Sequence, residues 1–476
     1  MTPRGGLALV LHTHMPYVEG FGTWPFGEEW LFEAAATVYL PILEVLDGAP
    51  VTVGLTPVLC DQLEALRGDA GDRFLAFLRE VRAPIHEEDA RGLERGGELE
   101  LAAELRRAAG DYERAERTFE ALGRDVVDAF ASLGGPQLWT SSATHAVLPL
   151  LATDPGLRLQ VAAGVASHER RFGAFGGGFW LPECAYAPGL ERDLSEHRVA
   201  AFCVDQTDAL GLGAPEQLEP VATGAGPVAV PIDWATVSLV WDERTGYPTH
   251  AAYRDYHGRT VHDLRPWNNA GGPYRHDHAV GLAREHARDF VARVAQRLEA
   301  RPGGLVTCAL DTELLGHWWY EGIEWLRAVL EEAPAQGVEL VTLPDALDGI
   351  AAVERPLAES SWGTPKDLST WDSPRVAELC VAARRAELRT VAAAAGTHAD
   401  DPSLARAARE LMALQASDWS FQVTRELAAD YPLERVRAHA AANDAALAAL
   451  ADSALVPEPS LRSLAPALDL APLVAP

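Results

Sequence analysis

Several commitments a protein can make are missing from this sequence. Basic residues are few: Lys and Arg number 40 against 69 Asp and Glu, a formal charge of −29 with no local basic patch. Such a chain repels nucleic acid and anionic lipid surfaces, so neither is an expected partner. Cysteine is sparse as well. Cys60, Cys184, Cys203, Cys308 and Cys380 are odd in number, widely spaced and free of any CxxC pair, which reads as reduced thiols in the cytoplasm rather than a disulfide framework. No apolar stretch reaches the length of a membrane span, and the run at residues 7–11 is too short for the apolar core of a secretion signal. There is no internal repeat.

What is present describes an ordinary globular chain, with 48% hydrophobic and 23% charged residues over 476 positions. That length predicts two or three domains, or a barrel with appended elements. Residues 7–11 are a short apolar run ending abruptly in His-Thr-His, as a buried parallel strand does at the mouth of a barrel or open sheet. Residues 51–55, 138–141, 179–181, 199–204, 228–232, 305–310 and 338–343 follow the same grammar, most of them separated by helical stretches. Alternating strands and helices predict an α/β fold with a mainly parallel sheet and chemistry at the C-terminal strand ends. Residues 90–133 predict one long helix or a helical pair, and the Ala-rich residues 373–451 a separate all-α domain. The five prolines from residue 453 onward predict a loose tail. Residues 241–269, polar and aromatic without periodicity, read as a substrate loop.

Two carboxyls stand out. Glu183 in Trp180-Leu-Pro-Glu-Cys-Ala-Tyr186 follows an apolar strand among aromatic residues. Asp311 comes directly after the strand at residues 305–310 and just before three consecutive aromatics, Trp318, Trp319 and Tyr320. Desolvation and ring stacking can both act in such settings. Cleavage of a glycosidic bond needs two carboxyl groups flanking it, which a barrel can bring face to face. Either acid can instead cap the following helix or pair with an arginine.

His12 and His14, alternate residues leaving the first strand, can converge on one ion, with His145 and Asp311 completing a metal site of amidohydrolase type. No lysine lies near a strand end to bridge a binuclear centre. Hydrogen bonding to sugar hydroxyls and a purely structural role are the other readings of these histidines. Thirteen tryptophans are many, and Trp24, Trp30, Trp241, Trp267, Trp318, Trp319, Trp362, Trp371 and Trp419 fall outside regular patterns. Aromatic faces stack on the C–H faces of sugars, although a tryptophan is more often core.

Taken in order, His12-Thr-His-Met-Pro-Tyr-Val18, Ser142-Ala-Thr-His145, Trp180-Leu-Pro-Glu-Cys-Ala-Tyr186, Ala309-Leu-Asp-Thr-Glu-Leu-Leu-Gly-His-Trp-Trp-Tyr-Glu-Gly322 and Ser360-Ser-Trp-Gly363 resemble glycoside hydrolase family 57, most closely its glycogen branching enzymes. The likeness extends through Gly246-Tyr-Pro and Tyr253-Arg and resumes at Leu414-Gln-Ala-Ser-Asp-Trp-Ser-Phe421. It implies an incomplete (β/α)7 barrel over residues 1–190 and 230–360, a small insertion at 191–229 and a C-terminal all-α domain over 361–476. It also implies a retaining transglycosylase that cuts an α-1,4-glucan such as amylose or glycogen and forms α-1,6 branches, with α-amylase or 4-α-glucanotransferase activity as alternatives.

Under this resemblance Glu183 is the nucleophile and Asp311 the general acid/base, with no metal or cofactor. Expected around the sugar are His12, His14, His145, Trp24, Trp30, Tyr247, Arg254, Trp267, His317, Trp362, Trp371, Asp418 and Trp419. Three stretches depart from the family pattern. Glu243-Arg-Thr245 stands where relatives often carry an aromatic, Asp205-Gln-Thr207 is atypical, and so is the segment after Trp362.

Overall fold

The computed structural model of the chain describes residues 5–452, 461 and 463–474. Its sheet is built from ten strands: β1 (Gly6–Thr13), β2 (Thr52–Leu55), β3 (Gln137–Ser141), β4 (Gly178–Trp180), β5 (Ala201–Val204), β6 (Val221–Ala222), β7 (Val228–Pro231), β8 (Leu305–Asp311), β9 (Glu339–Leu340) and β10 (Val353–Glu354). Seven of these run parallel in the order β7-β5-β4-β3-β2-β1-β8. β6 pairs antiparallel to β7, β10 lies parallel to β6, and β9 adds to the start of β1. The sheet curls without closing its ladder. Just beyond β7, Asp233 N donates to Thr307 O of β8 at 2.8 Å, linking the two ends of the parallel set. Helices occupy the connections, so the architecture is the mainly parallel α/β sheet that the alternation of runs predicted, in the form of the incomplete (β/α)7 barrel that the family resemblance implied.

Period-two alternation decides what enters the barrel. Along β1, Leu7, Leu9 and Leu11 pack outward with the surrounding helices, while Ala8 and Val10 join an inner core with Trp139, Trp180, Cys203 and Ile232. β8 repeats the pattern, with Val306, Cys308 and Leu310 outside and Leu305 and Ala309 inside. Continuing each inner row by two residues reaches His12 and Asp311, which are register partners across the β1–β8 pair.

Residues 90–133 form parts of three helices, Ala83–Arg95, Leu99–Ala121 and Val126–Ala131, rather than one or two. Gly97 and Gly123, both at positive φ, interrupt the pattern. The C-terminal Ala-rich region is helical, comprising Ala377–Ala394, Pro402–Leu414, Ser417–Thr424 and Tyr431–Ala451. It docks on the barrel mouth: Thr144 Oγ1 donates to Met412 O (2.5 Å), Gln160 Nε2 to Gln415 Oε1 (3.0 Å) and Ser417 N to the His145 carbonyl (3.1 Å).

The expectation of a loose tail is corrected for the part of it that is described. Leu461 and Leu464 are buried beside Tyr17 and Val58, and Leu470 and Leu473 are buried beside Leu159 and Met412. Widely spaced leucines gave this segment enough apolar surface to pack despite its prolines. Residues 453–460 lie outside the described residues. Among those described, no helix is long and apolar enough to cross a membrane.

Candidate active site

The C-terminal strand ends surround a cavity of about 1880 Å³. His12 and Asp311 enter it from β1 and β8, and His14 follows from the first loop. His145 and Glu183 come from the turns after β3 and β4. Both turns are unusual. His145 (φ 61°), Glu183 (φ 63°) and Cys184 (φ 49°) adopt the left-handed region without being glycine, at a cost of about 1–3 kcal/mol each that surrounding contacts must offset. The Glu183 turn is held by Trp362 N donating to the Glu183 carbonyl (2.9 Å) and by reciprocal backbone bonds between Tyr186 and Ser360 (2.9 and 3.0 Å).

The two carboxyls are treated differently. Trp362 Nε1 donates to Glu183 Oε2 at 2.9 Å, and His145 Nδ1 lies 3.6 Å from Oε1. Burial raises the Glu183 pKa, but hydrogen bonds from Trp362 and the Ser417 hydroxyl act in favour of its ionised form. Among the described residues, Asp311 receives no such help. Burial, followed by the like charges of Glu313, Glu183 and Asp418, holds it well above the ordinary carboxylate range. Both carboxyls are thus pushed upward, Asp311 well above its usual range, and of the two only Glu183 has donors that favour its anion.

A stack of imidazoles lies between them. His12 stacks on Trp180 at 4.6 Å and on His145 at 4.8 Å, and His145 on His14 at 4.1 Å. Burial and then neighbouring imidazoles hold His12 and His145 well below the usual histidine range, so both are neutral. Among the described residues, both ring nitrogens of His12 and Nε2 of His145 have no hydrogen-bond partner. They suit hydroxyl groups of a ligand. His14 differs. Burial is the largest single influence and works against its charge, but Asp418, 3.0 Å from Nε2, together with Glu313 and Glu183 raises the imidazole pKa. Glu313 accepts from His14 N (3.1 Å) and from the Tyr39 hydroxyl (2.7 Å), and burial pushes its own carboxyl up to about 7.

The quartet imagined for a metal hydrolase does not assemble as such. His14, His145 and Asp418 can bring ligand atoms within 4.8 Å of one another, but His12 lies within the ring stack and Asp311 faces carboxylates.

Trp24, Trp30, Arg254, His317, Trp362, Trp371 and Asp418 all line the cavity. Arg254 stacks on Tyr320 and Tyr274, and burial followed by the Arg265 charge lowers the His317 pKa to about 4. Three expected residues lie outside the lining. The Tyr247 hydroxyl donates to Asp289 (2.7 Å) while its ring stacks on His286. Trp267 is bridged to Pro273 within its own loop. Trp419 is fully buried and donates to the Ala413 carbonyl (2.8 Å). Reasoning from sequence missed Ser417, whose Oγ lies 2.8 Å from His145 Nδ1, and Tyr39. Ser417 carried a signal, since it directly precedes Asp418.

The sequence profile of glycosyl hydrolase family 57 matches residues 8–356. The chain belongs to that family. A second profile, the C-terminal region of 1,4-alpha-glucan branching enzyme, matches residues 381–469. The chain is 34% identical to a 1,4-alpha-glucan branching enzyme of Thermococcus kodakarensis, covering 92% of this chain and 72% of that protein. It is 33% identical to a probable 1,4-alpha-glucan branching enzyme of Mycobacterium tuberculosis, covering 94% and 93%. The family-57-type branching enzyme of Pyrococcus horikoshii superposes with a TM-score of 0.92 at 30% identity, over 99% of this chain and 97% of that one. An alpha-amylase of Thermotoga maritima shares the fold, with a TM-score of 0.82 at 23% identity over 100% and 99% of the two chains.

Proposed function

We propose that this family 57 protein is a 1,4-α-glucan branching enzyme working by double displacement, with Glu183 as nucleophile and Asp311 as general acid/base. The observation that carries the reading is the unequal treatment of two buried carboxyls in one aromatic-lined cavity. Glu183 accepts donors that favour its anion, and Asp311 is kept protonated by burial and like charge. The branching-enzyme relatives and the C-terminal profile support the choice of acceptor.

Glu183 attacks the anomeric carbon of an α-1,4-linked glucose. The bond from that carbon to the departing O4 breaks as Asp311 gives O4 its proton. The chain end with a new 4-hydroxyl leaves, and a covalent glucosyl-enzyme remains at Glu183. A 6-hydroxyl of another chain then attacks the same carbon, Asp311 takes its proton, and Glu183 departs. Two inversions give retention. One α-1,4 bond is exchanged for one α-1,6 bond without net hydrolysis.

In this reading neutral His12 and His145 bond sugar hydroxyls and Trp24, Trp30 and Trp362 offer ring faces, while Trp371, only 3% exposed, backs the lining. The polymer we assign is glycogen-like, made in the cytoplasm, a setting consistent with five free thiols.

A second reading, hydrolysis or disproportionation of the same chains, is favoured by one observation. Residues 241–244 line the cavity, charged Glu243 and Arg244 stand where the family resemblance leads us to expect an aromatic, and Asp242 ties down the turn by accepting from Arg244 N and Thr245 N. Proton NMR of amylose incubated with the protein, beside a reducing-end assay, decides between them. Growth of the α-1,6 anomeric signal with few new reducing ends is expected. New reducing ends without that signal would replace branching by hydrolysis, and Glu183→Gln should abolish either turnover.

A further inference from the structure

Two departures from the family pattern, around Asp205 and after Trp362, meet in space. Lys366 is the only lysine in a chain with 40 basic residues. Its Nζ lies 2.8 Å from Asp205 Oδ2, in an ion pair whose side chains are 13% and 0% exposed. The same nitrogen donates to the Trp362 carbonyl at 3.1 Å and sits 3.0 Å from the ring centroid of Trp234. Asp205 is itself fixed, accepting from Thr207 N at 2.9 Å. The Lys366 carbonyl accepts from Ser361 N at 3.0 Å, so the lysine clasps both ends of the short Ser361–Lys366 turn. From that turn Trp362 reaches Glu183 twice, through its backbone N–H to the Glu183 carbonyl and through its indole to Oε2, both at 2.9 Å.

We propose that Lys366 is a positioning residue for the reaction: paired with Asp205, it holds the Trp362 turn so that the indole stays on the Glu183 carboxylate. The pair sits behind the cavity, and Lys366 is absent from its lining while Trp362 and Trp234 both face it. An ammonium suits three partners of different kinds, an acid, a carbonyl and a ring face, better than the flat guanidinium carried by every other basic residue of the chain. Removing only one charge of a buried pair strands the other, so the neutral replacement changes both.

The inference rests on Glu183 as the nucleophile. Glu183 must be ionised to attack, and the groups facing it are His145, His14, Asp418 and Asp311 alongside the Trp362 and Ser417 donors. Loosening the Trp362 turn weakens a donor to the anion, so the acid limb of kcat/KM should move to higher pH. The test compares wild type, Trp362→Phe, Lys366→Met, the charge-neutral pair Asp205→Asn with Lys366→Met, and that pair combined with Trp362→Phe. Initial rates of total glucan turnover are measured across pH. In the pair variant, kcat/KM on the acid limb should fall about tenfold more than on the plateau, the equivalent of a limb shifted by about one unit. KM should change little, and the pair should add no further limb shift once Trp362 is Phe.

An acid limb unmoved by the pair while Trp362→Phe moves it would overturn the role of Lys366, as would a further shift on top of Trp362→Phe. If Trp362→Phe and wild type share one limb, the indole does not discriminate between the two protonation states of Glu183 and the proposal is overturned at that link. Turnover surviving in Glu183→Gln would instead remove the assignment of Glu183 itself. Should the neutral variants not fold, Lys366→Arg preserves the charge. The same limb shift is then expected, because a guanidinium cannot hold all three contacts, and a wild-type limb would refute the proposal.

Discussion

The hydrogen bond from Trp362 to Glu183 allows a magnitude to be worked out. Phenylalanine at 362 keeps a ring beside Trp180 and His12, which Trp362 meets edge-on at 5.0 and 6.2 Å, and removes only the N–H that reaches Oε2 at 2.9 Å. A buried hydrogen bond to a charged group is worth about 1.5–3 kcal/mol. This donor stabilises the ionised carboxyl, so its loss raises the pKa, and at about 1.4 kcal/mol per unit the rise is about 1–2 units. The Ser417 hydroxyl remains as a second donor, which favours the lower end of that range. Because the attacking form is the anion, the acid limb of kcat/KM in Trp362→Phe should move up by that amount, while the alkaline limb, set by Asp311, stays in place. Initial rates on amylose over a pH series measure both. A profile lowered uniformly at every pH would refute the reasoning, since it would mean that the indole does not discriminate between the two protonation states of Glu183.

Three other variants test separate parts of the account. Asp311→Asn should lower kcat on amylose by about 10²–10⁴, but form the glucosyl-enzyme readily from a glycosyl fluoride donor, whose leaving group needs no proton. Glu313→Gln keeps an oxygen for Tyr39 and His14 N while deleting the first of the like charges that hold Asp311 up; the Asp311 pKa falls, and the alkaline limb should move down by on the order of one unit. Leu464→Ala, at a site only 1% exposed against Tyr17 and Val58, should cost about 2–5 kcal/mol and lower Tm in calorimetry; an unchanged Tm would mean that the segment contributes nothing to the fold.

The strands and the two carboxyls were legible because they obey short-range rules. An apolar run that stops at His12 or Asp311 announces a strand end, and the acid follows at once. The two-residue strands β6 and β10 are too short to show a period, and their pairing is written in contacts made far along the chain. Aromatic residues in a polar loop carry no mark of which way they turn. Trp24 faces the cavity, whereas Tyr247 folds back onto Asp289 and His286. Asp418 and Trp419 show the same limit on a helix, where successive residues diverge by about 100°. Asp418 reaches His14, and Trp419 turns into the core. The sequence marked Asp205 and the segment holding Lys366, the chain's single lysine, as atypical, but their link escaped because 161 positions separate them and only the fold brings the two charges together.

The alternation along β1 and β8 has a consequence for how such a site can drift. His12 and Asp311 face the cavity because each continues the inward row of its strand, behind Ala8 and Val10 on one side and Leu305 and Ala309 on the other. Losing or gaining one residue early in either strand would exchange the two faces, turning the acid or the imidazole out among the helices. A threonine (Thr13 or Thr312) would take its cavity position after a loss, and a leucine (Leu11 or Leu310) after a gain. A change of two would keep the face and shift the group by one pleat along the barrel axis. Within these strands, then, length can vary only in even steps if chemistry is to survive, and odd insertions must accumulate in the connecting loops instead.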